Sequence, residues 1–196
     1  MIYVWKKNNA CPASVLAAGG SGFREGTLMR VDKQNYYLDI AETVLERGTC
    51  LRRNYGAIIV QNDEIVSTGY SGAPRGRKNC LNLNFCAREQ LKIPQGQRYE
   101  LCRSVHAEAN AIISAPRQEM LGATLYLAGR DMKTGQILEN PESCAMCRRL
   151  IINAGIATVV TRSSGGRYTV TDVSDWITND DSLPPMPEPS GGGGQE

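Results

Sequence analysis

Net charge, long apolar runs and histidine are all scarce in these 196 residues. Lysine and arginine exceed the acidic residues by only two, too little to argue for a nucleic-acid or membrane partner by itself. A basic patch would have to come from clustering, and only Leu51-Arg52-Arg53 and Arg75-Gly76-Arg77-Lys78 hint at one. The second cluster reads either as a solvated loop or as a clamp for phosphate. No run of 18 apolar residues occurs, so no membrane span is expected. Met1 to Ala10 lack the apolar core of a secretory signal. Seven cysteines in that context do not read as a disulfide scaffold, and the odd count opposes full pairing. A cytoplasmic setting, with cysteine used for metal or catalysis, is the expectation. The apolar share of 41% suits a globular core, and the length favours one domain with tails.

Residues 1–30 show no clear period and contain a small, flexible stretch, Leu16-Ala-Ala-Gly-Gly-Ser-Gly22, so they read as an extension. Residues 181–196 are rich in proline and glycine and read as a disordered tail. Between them, residues 31–180 alternate. Asp32 caps a predicted helix from Lys33 to about Arg47, with Tyr37, Ile40, Ala41 and Val44 on one face and Gly48 as its end. Ala57–Val60 and Glu64–Thr68 read as strands joined by an Asn62-Asp63 turn. A polar segment from Tyr70 to Arg103 has little periodicity, and loops of that length are usually functional or braced. Ser104 is the expected cap of a helix over His106–Ser114, and Ser143 of one over Cys144–Ala154 that stops at Gly155. Ala123–Ala128, Ala157–Thr161 and Tyr168–Val170 read as strands, and Val173–Ile177 as a final helix. Strands alternating with helices imply an α/β sandwich. Tyr126 and Trp176 read as packing residues rather than base-stacking ones.

The strongest chemical signal is His106-Ala107-Glu108, followed 35 residues after Glu108 by Ser143-Cys144-Ala145-Met146-Cys147. Two cysteines separated by two residues at a helix start can face one zinc ion, and the positive helix end favours their thiolates. His106 supplies a third ligand. Three protein ligands leave one tetrahedral position for water, the mark of a catalytic site, and zinc makes hydroxide available near neutral pH. Glu108 falls on another side of the helix start and suits a general acid and base; His-x-Glu with Cys-x-x-Cys is the known pattern of zinc deaminases. A redox pair or half of a zinc knuckle are the other readings of Cys-x-x-Cys. They leave the chain's single histidine, set in His-Ala-Glu, without a purpose.

Several longer stretches carry a resemblance: Arg52-Arg-Asn-Tyr-Gly-Ala-Ile-Ile-Val60, Ser67-Thr-Gly-Tyr-Ser-Gly-Ala-Pro-Arg-Gly76, Val105-His-Ala-Glu-Ala-Asn-Ala-Ile112, Gly122-Ala-Thr-Leu-Tyr126 and Cys144 to Ile156. From about Leu38 to Val160 the chain resembles the cytidine and deoxycytidylate deaminase superfamily, and within it the deoxycytidylate branch. The resemblance implies a three-layer α/β/α sandwich around a mixed five-stranded sheet. It implies zinc-dependent hydrolytic loss of the 4-amino group of a cytosine nucleotide, dCMP to dUMP, with Glu108 protonating N3 and serving the departing ammonia. It places Ser71, Ala73 and Arg75 near the sugar and phosphate, and Asn110 as a brace of the pocket. It also implies a homo-oligomer and dCTP and dTTP as effectors. Two positions depart from the pattern: Ser143 stands where the family usually has proline, and Ser71 where it has asparagine.

Cys50, Cys80, Cys86 and Cys102 remain, with Cys11 outside the core. The resemblance allows them to hold a second, structural zinc that braces the long insertion. Four thiolates would close such a site to water. The alternative is reduced, partly buried cysteines. Were the segment before His106 a continuous helix, Cys102 would instead share the face of His106. Competing functions for the whole chain are a base deaminase of tRNA or single-stranded nucleic acid, opposed by the low charge, and a non-catalytic nucleotide sensor, opposed by the intact Glu108.

Overall fold

The computed structural model describes residues 30–94 and 96–179, and the folded unit starts at Val31. The expected tail over 181–196, and the expected extension over 1–30 apart from Arg30, lie outside the described residues, as does Cys11. Helix α1 spans Lys33–Leu45. Strands β1 (Arg53–Gln61) and β2 (Glu64–Tyr70) follow. Short helices α2 (Cys80–Leu83) and α3 (Ala87–Gln90) and a 3-10 turn at Tyr99–Leu101 occupy the long insertion. Then come α4 (Ala107–Ile113), α5 (Arg117–Met120), β3 (Thr124–Asp131), α6 (Ala145–Ala154), β4 (Thr158–Arg162), β5 (Tyr168–Asp172) and α7 (Val173–Thr178).

The strands form one sheet in the order β2-β1-β3-β4-β5. Only β3 and β4 run parallel, and α6 makes the crossover that a parallel pair requires; the other pairs are antiparallel. The β1–β2 hairpin turns at Asn62 and Asp63, both with positive φ, as a two-residue turn matched to strand twist demands.

Side chains alternate across the sheet with the period of two that strands impose. Ile58, Val60, Tyr126, Ala128 and Val160 face α1 and pack with its Tyr37, Leu38, Ala41 and Leu45. Ala57, Ile59, Leu125, Leu127 and Val159 face the other way, against Ala107 and Ala111 of α4 and Ile151 and Ala154 of α6. The architecture is therefore the three-layer sandwich with a mixed sheet. The buried stripe of α1 is Tyr37, Leu38, Ala41 and Leu45, with Ile40 and Val44 at its edge. Tyr37 and Ala41 of the expected stripe are buried, but Leu38 and Leu45 take the covered places expected for Ile40 and Val44.

Two glycines let helices lie directly on the sheet. A Cβ on Gly56 would stand 2.1 Å from the Ala41 carbonyl oxygen of α1, and one on Gly69 would stand 2.2 Å from that of Ala107 in α4. The insertion is tied at its neck by an antiparallel bridge, with Gly72 N–H donating to Val105 C=O at 3.2 Å and Val105 N–H to Gly72 C=O at 2.8 Å.

Candidate metal centre and its cavity

The two helix starts differ from expectation in a way that matters. Ser104 and Ser143 do not cap. The N-cap positions belong to His106 in α4 and Cys144 in α6, both with extended backbone and neither with a side-chain capping bond. Their side chains turn to each other instead. His106 Nδ1 lies 3.5 Å from Cys144 Sγ and 3.4 Å from Cys147 Sγ. Cys147, one turn into α6, is completely buried. Tetrahedral zinc with nitrogen at about 2.0 Å and sulfur at about 2.3 Å separates N from S by about 3.5 Å. The donor set and its spacing therefore fit zinc. Among the described residues no fourth His, Cys or carboxylate joins the group.

Electrostatics agree with the same role. Cys144 is pulled down to about 4, first by its contact with Cys147 and then by His106. Cys147 moves up, because the neighbouring thiolate and burial oppose a second negative charge. The pair thus readily loses one proton, and a cation between them is what makes loss of the second favourable. Burial opposes the charged form of His106, but Cys144 and Glu108 together outweigh it and raise its pKa. Glu108 in α4 is buried, and burial pushes its carboxyl up, against the opposing pull of its own backbone N–H, His106 and the nearby Ser143 hydroxyl. A carboxyl displaced upward by desolvation is suited to hold and release a proton near neutral pH.

His106, Glu108 and Cys144 line a cavity of about 750 Å³, its open mouth included. Residues 31–163 match the model of the family described as "Cytidine and deoxycytidylate deaminase zinc-binding region". The chain belongs to this family. A deoxycytidylate deaminase of Mycobacterium phage D29 is 34% identical over 138 residues, covering 68% of this chain and 96% of that protein. One from Saccharomyces cerevisiae is 30% identical over 138 residues, covering 70% of this chain and 39% of its own length. The chain thus spans well under half of the yeast relative. A crystal structure of the dCMP deaminase of cyanophage S-TIM5 in apo form is 24% identical, with a TM-score of 0.47, and covers 70% of this chain and 89% of that one.

The remaining residues singled out by the family resemblance fall in different places. Ser71 is buried in the cavity wall, where its hydroxyl accepts from Tyr55 N–H at 3.1 Å. The Asn110 amide donates to Tyr70 C=O at 2.8 Å and ties α4 to the end of β2. Ala73 and Arg75 do not line the cavity; Arg75 sits in an exposed turn closed by Arg77 N–H on Pro74 C=O. Tyr126 packs against Tyr37 in the α1-side core. The Arg148 guanidinium lies over the Trp176 ring at 5.2 Å.

Cys50, Cys80, Cys86 and Cys102 are free thiols. Cys50, Cys86 and Cys102 line the same cavity, while Cys80 shares the neighbouring one with Cys102. Burial raises Cys80 first, and the other three cysteines add to it. The four sulfurs are therefore neighbours, but they are not within the ligand spacing that His106, Cys144 and Cys147 reach. Cys102 follows the 3-10 turn in extended backbone, so it does not share a helical face with His106.

Two of the cavity residues, Arg88 and Tyr99, carried no legible signal in the sequence. Tyr99 meets the His106 ring edge-on at 4.9 Å, and the Arg88 guanidinium lies over Tyr99 at 4.5 Å. Both belong to the aperiodic insertion, where no hydrophobic pattern reveals which polar side chains turn inward. Arg52 and Arg53 were visible as a basic doublet and as the start of a stretch that carries the resemblance, with no role attached.

Proposed function

We propose that this protein hydrolyses dCMP to dUMP and ammonia. The observation that carries the reading is the His106–Cys144–Cys147 group with a buried Glu108 beside it in one cavity. The similarity to the phage D29 protein over nearly its whole length supports dCMP as the substrate. His106, Cys144 and Cys147 would hold the zinc, which when bound supplies a Lewis acid that activates water at neutral pH. Glu108 takes the proton released as water adds to C4, places it on ring N3, and serves the amino group as it departs. The C4–O bond forms, the C4–N bond breaks, and ammonia leaves. Ser71 stands in the wall as a substrate contact, and Asn110 keeps α4 in register with the strand beneath. The small net charge, an excess of only two cations, favours a mononucleotide over a nucleic acid.

The test is a panel of dCMP, dCTP, deoxycytidine, cytidine and adenosine monophosphate incubated with zinc-loaded protein and read by mass. Gain of one mass unit on dCMP is the expected result; no turnover of any cytosine compound removes the reading.

The proposal extends to a second zinc on Cys50, Cys80, Cys86 and Cys102, supported by the convergence of thiols from three separate segments. Metal analysis should give two zinc ions per chain, falling to one in Cys80→Ser. One zinc in the unaltered protein would remove this part. A homo-oligomer, dCTP and dTTP as effectors, and a cytoplasmic setting belong to the same proposal and rest on the family resemblance and composition. Among the described residues no helix is long and apolar enough to cross a membrane.

A further inference from the structure

A histidine that binds zinc through one ring nitrogen is normally aimed by a hydrogen bond from the other. In this chain His106 turns Nδ1 to the sulfurs of Cys144 and Cys147, and its Nε2 bonds to none of the described residues. The backbone there is already fixed. Val105 is pinned to Gly72, and His106 is the N-cap of α4. The side-chain torsions are what remain to be set. The group set against the imidazole is Tyr99 of the insertion, with ring centroids 4.9 Å apart and planes at 88°. Such an edge-on contact has a preferred geometry, unlike aliphatic packing.

Tyr99 is half-buried and is held in turn. The guanidinium of Arg88, a residue only 6% exposed, lies over its ring at 4.5 Å. A buried cation on a ring face is a strong form of this contact. One terminal nitrogen of Arg88 donates to the carbonyls of Pro94 at 2.8 Å and Gln97 at 2.5 Å. Both carbonyls belong to the loop that leads into Tyr99. The loop backbone therefore grips Arg88, Arg88 grips Tyr99, and Tyr99 abuts the imidazole.

We infer that Tyr99, clamped by Arg88, is the positioning residue that holds the His106 imidazole in its metal-binding orientation. The contact is ring on ring, so the Tyr99 hydroxyl has no part in it. Tyr99 acts through His106 and not on the reacting atoms. Its place in the insertion makes the long segment after β2 a support of the metal centre as well as a wall of the cavity. A ligand fixed in advance loses less freedom when the metal binds.

The inference rests on the metal-centre part of the deaminase reading, and the experiment separates the two without measuring turnover. His106 is the chain's single histidine. Untagged protein labelled with nitrogen-15 in histidine alone therefore reports this one ring by NMR. Zinc is titrated back from a chelator while the His106 signal is followed, in the unaltered protein, Tyr99→Phe, Tyr99→Leu and Arg88→Met. The unaltered protein and Tyr99→Phe should each show one sharp zinc-bound ring signal and equal affinity. Tyr99→Leu should bind zinc about 10- to 100-fold more weakly at this site, with a broadened or divided ring signal. Arg88→Met keeps the ring but removes its clamp, and should weaken zinc by a smaller factor. A displaced but single signal in Tyr99→Leu, with zinc held as tightly as before, would overturn the inference. Equal weakening in Tyr99→Phe would overturn it too, since the hydroxyl would then be the part that matters. A His106 signal indifferent to zinc in the unaltered protein would remove the metal-centre reading, and this inference with it.

Discussion

Glu108 occupies the second position of α4, whose N-cap His106 is one of the three proposed zinc donors, so its chemistry and its position can be separated by substitution. Glu108→Gln keeps the volume and the burial but cannot cycle a proton. Turnover of dCMP should fall by about 1000-fold while zinc content stays at the level of the unaltered protein. Loss of zinc in that variant would make Glu108 a ligand rather than a proton carrier. Cys147→Ser has the opposite signature. A buried hydroxyl replaces a thiolate at a position with no exposure, so the catalytic zinc should be lost along with activity. Inductively coupled plasma measurement of the purified variant decides it.

The buried Arg162 shows how charge works where no ligand is involved. It is 5% exposed and meets Asp39, Asn35 and, at 2.7 Å, Glu42, so it pins α1 to β4. Arg162→Ala removes the shared partner of a carboxylate pair and should cost about 3 kcal/mol. Asp39→Asn alters a partner whose side chain is largely exposed and should cost under about 1 kcal/mol. Equal losses in urea unfolding would contradict this division.

At the scale of elements, the packing of helices on glycine positions gives the sharpest expectation. Gly56→Ala and Gly69→Ala each push a methyl group into helix backbone, not into a movable side chain. Each should cost about 2 kcal/mol or more. They should differ in function. Gly69 lies under α4, whose cap is His106, so its variant should also weaken zinc binding. Gly56 lies under α1, on the far layer, and its variant should not. Zinc affinity measured by competition with a chelator separates them. The same elements show what could be read in advance. The hairpin, the strands and the helices that line the sheet declare themselves through alternation, turn residues and helical spacing. Cap identities do not, because the serines at 104 and 143 have the right chemistry for capping and lose the place to residues whose side chains meet across two helices. The His106, Cys144 and Cys147 set is legible because metal ligation requires particular residue types at particular spacings. Arg88 and Tyr99 are illegible because their inward orientation is decided by how a non-repeating loop folds over itself.

For the whole molecule, the two apolar clusters on either side of the sheet are built from side chains other than His106, Cys144 and Cys147. Removing zinc with a chelator should therefore abolish turnover while leaving far-UV circular dichroism near that of the loaded protein, with a lower Tm, since zinc stabilises only the state that binds it. Collapse of the helical signal on chelation would mean that metal and fold are inseparable.

The neck formed by Gly72 and Val105 has a consequence beyond this one chain. A loop sewn shut at its base is a cassette: its contents can be exchanged while the frame beneath keeps the same stitches. His106, Glu108, Cys144 and the Ser71 side of the cavity stay with the frame, whereas Cys86, Arg88, Tyr99 and Cys102 travel with the cassette. A chain rewritten over residues 73–104, the Arg88 and Tyr99 stack excepted, should thus gain a new wall on one side of the cavity and leave the furnace untouched.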